Sequence, residues 1–413
     1  MKLKHFGVFL VGLAAVAAGL WMPMPAFAHG EKAQMAFLRM RSIHWYDISV
    51  SPTQVSVNDE VVVTGKFRPS AFWPGSLPEP VVSYLNIGVP GPVFVRMESE
   101  VNGVNMVNST SFELGATYDF RVVIKARVPG RYHVHPVLHV EHAGPLVGPG
   151  IWVETSGNAA DFKHEVTTLT GNVVDLEKFG FANVVSWHII WFVLGLIWLV
   201  YWIFFKGRLF LPRYRRVADL GADADSMITR TDRNLAFAML AITLVLIVFG
   251  FYRADSLYPN TIALQTGRIA VAPTPEPEKV VAVQLDHATY RIPGRSLTLN
   301  TTITNLSDGP LEISELATAN VRFINDRVLD LQPLDSHDLV APSGLNVTGG
   351  AIAPGETREI AITAADALWE THRLSRLIYD PDSRFAALLF FVDSDGERHV
   401  IEVSGPMIPT FES

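Results

Sequence analysis

The chain reads as mainly β, with two β-sandwich or barrel domains joined by two transmembrane α-helices behind a secretory signal. Three observations predict this. Apolar and polar residues alternate between Gly/Pro turns after residue 29 and again after residue 280. Two apolar runs without formal charge, residues 184–205 and 235–252, lie between those stretches. The first residues join a basic start to an apolar run and a small-x-small end, Ala26-Phe27-Ala28.

Taken in order, residues 1–28 carry the three parts of a signal peptide: Met1-Lys2-Leu3-Lys4, the apolar run Phe6 to Trp21, and a cleavage site after Ala28. Residues 29–180 form the first β domain. Its first strand is expected near Phe37 to Val50, and Val55 to Gly65 reads as a strand pair with a polar turn. Thr117 to Val128 is a long strand, and Pro129-Gly130 is expected to join it as a hairpin to Arg131–Glu141.

Residues 184–205 reach the roughly 20 residues that a helix needs to cross a bilayer. Trp187, Trp191, Trp198, Tyr201 and Trp202 include the interfacial anchors. The loop 206–234 sets Lys206, Arg208, Arg213, Arg215, Arg216, Arg230 and Arg233 against Asp219, Asp223, Asp225 and Asp232, which places it in the cytoplasm. The second span, 235–252, returns the chain to the outside. Residues 253–279 are a connector stiffened by Pro273, Pro275 and Pro277. Residues 280–413 form the second β domain, with strands at Ser296–Asn305, Arg358–Thr363, Phe385–Asp393 and His399–Val403 and a short helix within Ala364–Leu377.

Composition narrows the function. Of 413 residues, 18% are charged and 49% hydrophobic, an apolar balance for an exported protein that fits membrane segments. The net charge is −8, with no basic tract for nucleic acid and no GxxxxGK[ST] loop for phosphate. The absence of cysteine excludes disulfides, thiolate blue-copper sites, zinc fingers and iron–sulfur clusters.

Two histidine features carry chemistry. Cleavage after Ala28 makes His29 the first residue, and its amine, with a pKa of roughly 8, joins its imidazole as a second nitrogen donor. Tyr132-His133-Val134-His135 puts two imidazoles on one strand face, because side chains alternate with period two. His29, His133 and His135 together form an all-nitrogen set, which suits copper best among divalent ions. His44 is expected to be a buried, hydrogen-bonded histidine, with Asp47 as one partner and metal ligation as the alternative. His139 shares the face of His135, whereas His142 points away; either could support the ligands from behind, as could Glu31. His188 lies near the outer end of the first span, as a functional group or an interfacial anchor. With Met239 it is the sole metal-capable side chain in the spans. His287, His337, His372 and His399 are scattered and read as ordinary surface or capping residues, leaving the second domain a structural or docking role.

A family resemblance follows from the motifs His29-Gly30-Glu31-Lys32, Arg39-Met40-Arg41, Trp45-Tyr46-Asp47, His133-Val134-His135, Gly148-Pro149-Gly150, Ala353-Pro354-Gly355-Glu356-Thr357-Arg358 and Tyr379-Asp380-Pro381-Asp382-Ser383-Arg384-Phe385. The chain resembles the B subunits of the copper membrane monooxygenases, which act on methane, ammonia or short alkanes. The resemblance implies cupredoxin-like folds for both β domains, a copper site at His29, His133 and His135, and assembly with A and C subunits as a trimer of heterotrimers. It implies residence in the bacterial inner or intracytoplasmic membrane with both large domains periplasmic. The implied reaction inserts one oxygen atom from O₂ into a C–H or N–H bond, with the oxidation site placed in the membrane part of the C-type partner. Some members hold a further copper with a second histidine opposite the position of His44; here Gly65-Lys66-Phe67 is followed by Arg68, which cannot ligate.

Three functional classes follow. The first is a copper-binding subunit with a structural, assembly or electron-delivery role. The second makes this chain the oxidising one. The third is a membrane-anchored periplasmic copper carrier, for which two spans and a second large domain are superfluous. The substrate is not legible.

Overall fold

The computed structural model describes residues 34–168, 170–205, 210–259, 267–292, 294–331, 339–380 and 382–411. The expected signal peptide, His29, Glu31 and His337 lie outside the described residues. The chain divides into two compact units, one running to Phe162 and resuming at Thr266, the other spanning Lys163–Gln265.

The first unit holds both β regions. The opening region contains β1 (Ile43–Ser51), β2 (Gln54–Ser56), β3 (Glu60–Pro69), β4 (Ser83–Gly88), β5 (Phe94–Val101), β6 (Val104–Asn105), β7 (Tyr118–Ala126), β8 (Gly130–Val140), β9 (Gly144–Val147) and β10 (Ile151–Ser156). They build two sheets, ordered β1-β3-β7-β5-β6 and β2-β10-β8-β4, with β9 paired to β8. The buried faces meet over Trp45, Phe67, Phe112, Tyr118 and Phe120. Phe67 stacks on Tyr118 at 5.3 Å and meets Phe112 edge-on at 5.0 Å, geometries that aromatic quadrupoles favour.

Two expected hairpins are corrected here. β2 pairs with β10 and β3 with β1 and β7, so the turn at residues 57–59 crosses between sheets. Pro129-Gly130 does the same, since β7 pairs with β3 and β5 while β8 pairs with β10, β4 and β9. A Gly/Pro signal reports that the chain reverses; which sheet receives the next strand depends on core packing. The expected strand from Phe37 also gives way to a short helix, Ala36–Arg41, before β1 begins. That helix buries Ala36 and Met40 in the core of the second β region.

The second region contains β13 (Val281–Ile292), β14 (Ser296–Asn305), β15 (Glu312–Thr318), β16 (Val321–Ile324), β17 (Val340–Ala341), β18 (Leu345–Val347), β19 (Thr357–Ala365), β20 (Arg384–Val392) and β21 (Arg398–Phe411), linked in one path β17-β16-β15-β20-β21-β13-β14-β19-β18. β14 alternates buried and half-buried residues along its whole length, as period-two patterning requires. β20 is buried from Phe385 to Val392, the mark of a central strand covered on both faces. The expected helix within 364–377 resolves into Leu368–Thr371 and a 3₁₀ turn, Leu374–Tyr379.

The second unit contains the hairpin β11 (Glu165–Thr167) and β12 (Val173–Asp175) and two long apolar helical segments. The first segment covers Phe181–Phe205 and the second Arg230–Leu257. At ~1.5 Å per residue each is long enough to cross a bilayer, and neither is buried within the protein. The chain is a membrane protein with a mainly β fold. Thr229 and Asp232 form a capping box at the second helix, and Tyr201 donates a 2.6 Å hydrogen bond to Asp232. A Cβ at Gly250 would lie 3.0 Å from Trp187, so glycine lets the helices approach there.

Candidate metal centre

β8 and β10 run antiparallel, with His133 directly opposite Trp152 and Val134 opposite Ile151. Arg131, His133 and His135 alternate along β8 and therefore share one face. The two imidazole centroids lie 4.5 Å apart at 79°. The loop Gly148-Pro149-Gly150 crosses beside them, pinned by Gly148 N–H donating to Pro136 O at 2.7 Å.

His135 is buried, at 4% exposure. Its Nδ1 lies 3.0 Å from the Gly148 carbonyl. A carbonyl accepts, so Nδ1 carries the proton and Nε2 keeps its lone pair. Burial lowers the His135 pKa to about 4, against the Gly148 hydrogen bond and with a contribution from His133. The ring is neutral at neutral pH, the form in which imidazole ligates a metal.

Gly150 lets the chain pass close against both rings. A Cβ there would lie 2.5 Å from His133 Cε1 and 2.6 Å from His133 Nδ1, and would clash with His135 Cε1. Both imidazoles thus pack against backbone that only a glycine brings so near. Two adjacent imidazole donors on one strand face fit a late first-row transition metal. The Gln34 side chain bonds both ways to the strand leading into this loop: Val147 N–H donates to Gln34 Oε1 at 3.0 Å, and Gln34 Nε2 donates to Pro145 O. The first described residues are therefore fastened beside the His135 support.

The other histidines stand elsewhere. His44 is buried with Nε2 3.1 Å from Glu402 Oε1, and its partner is this glutamate of the second β region; Asp47 instead pairs with Arg398 at 2.6 Å. Arg68 is the cross-strand neighbour of His44 and reaches Glu402 Oε2 at 3.4 Å. Glu402 also accepts from Ser70 Oγ and, at 3.0 Å, from Ala71 N–H. Burial raises the Glu402 pKa, but His44, Ser70 and Ala71 outweigh it and hold the carboxyl at about 2. His139 stacks on Tyr84 at 4.8 Å and 6°. His142 sits in a turn at φ 63°, beside Glu141. His188 Nδ1 lies 2.7 Å from Val184 O within its own helix.

In the second region His287 bonds Asn300, and His399 lies 3.2 Å from Asp393. Among the described residues, Asp393, Glu397 and His399 are the one three-residue group of His and carboxylates with metal-like spacing. Asp393 is already engaged, accepting from Asp395 and Glu397 N–H in the turn as well as meeting His399. The sequence marks Gly148 and Gly150 only as motif residues without a role, and nothing in it points to Gln34 or Glu402. The period-two ladder, extended to the strand after Gly150, is the signal that could have found Trp152.

The model of a family described as the monooxygenase B-subunit protein matches residues 30–411. A protein of Methylococcus capsulatus named particulate methane monooxygenase alpha subunit is 46% identical over 401 residues, covering 97% of this chain and 96% of its own length. Among solved structures, the cupredoxin domain of amoB from Nitrosocaldus yellowstonii covers 32% of this chain and 98% of its own, at 15% identity and a TM-score of 0.25. The Yersinia pseudotuberculosis adhesin InvE covers 86% of this chain and 57% of its own, at 7% identity and a TM-score of 0.16. Both structural likenesses are too faint to add to the assignment. On the family match and the identity across nearly its whole length, the chain belongs to the monooxygenase B-subunit family and is one component of a monooxygenase complex.

Proposed function

We propose that His133 and His135 hold a copper ion together with the amine and imidazole of His29, freed by cleavage after Ala28. The observation that carries this is a pair of imidazoles on one strand face, 4.5 Å apart between centroids, with the His135 tautomer fixed by the Gly148 carbonyl. Reach supports it: Gln34 is fastened to Val147, and the five residues back to His29 extend up to ~17 Å. Copper, when bound, supplies one-electron redox chemistry. This chain's residues do the rest: the Gly148 carbonyl fixes the His135 tautomer, burial keeps that ring neutral, and the 148–150 loop shields the pair.

Both β regions are assigned to the periplasm and the loop between the spans to the cytoplasm of a bacterial inner or intracytoplasmic membrane, on the excess of Lys and Arg in that loop. The partners are the A and C subunits of the same enzyme in a trimer of heterotrimers, and the substrates are O₂ with methane, another short alkane or ammonia. The relative's name, particulate methane monooxygenase, supports methane as the first substrate to test. The apolar runs 184–205 and 235–252 carry only His188 and Met239 as metal-capable side chains, so oxidation of an apolar substrate within the bilayer is assigned to a partner chain. This chain's role is then structural, in assembly or in electron delivery.

The test is N-terminal sequencing and copper analysis of the complex purified from membranes, with His133→Ala and His135→Ala alongside. The expected result is a chain beginning at His29, copper in the wild type and loss of that copper in both variants. A different first residue, or unchanged copper in both variants, overturns the assignment. Purification without partner chains would indicate a copper carrier instead.

A further inference from the structure

We infer that Trp152 is a positioning residue for His133, a wall that fixes the plane of the imidazole within the His133–His135 pair; this rests on the copper-centre reading above. Trp152 is the cross-strand partner of His133, and such partners project from the same sheet face. Its indole stacks on the imidazole at 4.6 Å with 28° between planes. On the same face, two residues before His133, Arg131 sets its guanidinium 4.5 Å over the indole.

Three features separate this from ordinary packing. Trp152 remains 41% exposed, so core burial does not account for its place. The two rings of the centre also need different supports. His135 is tied by a hydrogen bond from Nδ1 to the Gly148 carbonyl, which fixes its orientation in the ring plane. His133 is stacked, which fixes the plane itself, because rotating the ring breaks face contact with the indole. Finally, Gly150 lets backbone close on the edge of His133, with Cε1 2.5 Å from where a Cβ would lie, so the loop bounds the ring's edge and its face needs a wall of its own to stay aimed. The Arg131–Trp152–His133 series supplies that wall, and Arg131 holds the indole in turn.

The experiment uses the full chain purified in detergent and loaded with copper(II), comparing wild type, Trp152→Ala, Trp152→Phe and Arg131→Gln. Affinity is read by chelator competition, and ligand geometry by the copper(II) electron paramagnetic resonance spectrum. Trp152→Ala is expected to weaken copper binding by about 10-fold and to change the hyperfine pattern. Trp152→Phe, which keeps a flat ring, is expected to restore both to within about 3-fold of wild type. Arg131→Gln is expected to fall between them. Thermal melting should be alike in all four, as the side chain is at the surface. Trp152→Ala with wild-type affinity and spectrum overturns the inference, as does an equal loss in Trp152→Phe. A wild type that takes up no copper overturns the copper-centre reading and this inference with it, which separates the two failures.

Discussion

In the first β region, strand β8 brings His133 and His135 to one face, packed against a glycine loop. In the second, strand β20 is buried from Phe385 to Val392, and the buried Glu315 and Asn305 have partners within the region. Glu315, 1% exposed, accepts from Arg322 at 2.7 and 2.8 Å and from Arg398 at 3.2 Å. Asn305, fully buried, donates to the Gly309 and Ile352 carbonyls at 2.8 Å each. The two regions thus use polar groups differently. In the second, Glu315 and Asn305 find partners within the region, which specifies packing. In the first, two adjacent imidazoles meet on one strand face, an arrangement suited to an external metal ligand.

The strongest way to break that comparison is Gly150→Ala. The added methyl would sit within 2.6 Å of His133 Nδ1 and against His135. The rings must move apart, so copper affinity should fall by more than about 100-fold while the sheet survives with a cost of about 1–3 kcal/mol. Wild-type copper binding in this variant, measured by chelator competition, would show that the two edges do not share a ligand.

The next effect concerns the seam between the regions, where Glu402 of β21 meets His44, Arg68, Ser70 and Ala71. Its carboxyl is held at about 2, below the ordinary 4.5. A depressed folded pKa gives stability that is fully present above the unfolded value and disappears as pH falls through the folded one. The contribution is about 3 kcal/mol near neutrality, at 1.36 kcal/mol per unit, and it fades between about pH 5 and pH 2. Melting of wild type and Glu402→Gln across that range should show a gap that closes on acidification. A gap independent of pH would remove the ionised carboxylate from the seam.

Glu315→Gln sharpens the contrast from the other side. It strips the charge facing Arg322 and Arg398, each about one-fifth exposed. The expected loss is about 2 kcal/mol of stability, lessened because both guanidinium groups reach water. Copper content should not change. A parallel loss of copper would mean that the second region's sealing supports the metal centre.

Much of this contrast was legible in the sequence, for definite reasons. The His-x-His pair needed only strand alternation, and β14 showed its period in every residue from Ser296 to Asn305. The helices announced themselves by length and lack of charge. What stayed hidden depends on distance along the chain. Nothing near His44 names Glu402, which lies 358 positions away. Pro129-Gly130 signalled a reversal but not the change of sheet. Gly150 was visible as a residue, yet its role exists only once two imidazoles are packed against it.

The smallest predicted effect distinguishes neighbours on a single strand. His139 lies four residues beyond His135 on the same face, but it meets Tyr84 in a near-parallel stack at 4.8 Å. Burial lowers its pKa, with Arg96 adding to the effect, so this ring too is disposed to be neutral. Neutrality alone therefore does not mark the proposed metal centre; the adjacent His133–His135 pair does. His139→Ala and Tyr84→Leu should each cost no more than about 1 kcal/mol, the range of a single aromatic pair at a partly exposed site. Neither should shift copper affinity beyond about 2-fold, since no side chain conveys the change to His133. A clear loss of copper in His139→Ala would extend the centre along β8 and make the whole face, rather than the His133–His135 pair, the unit that binds.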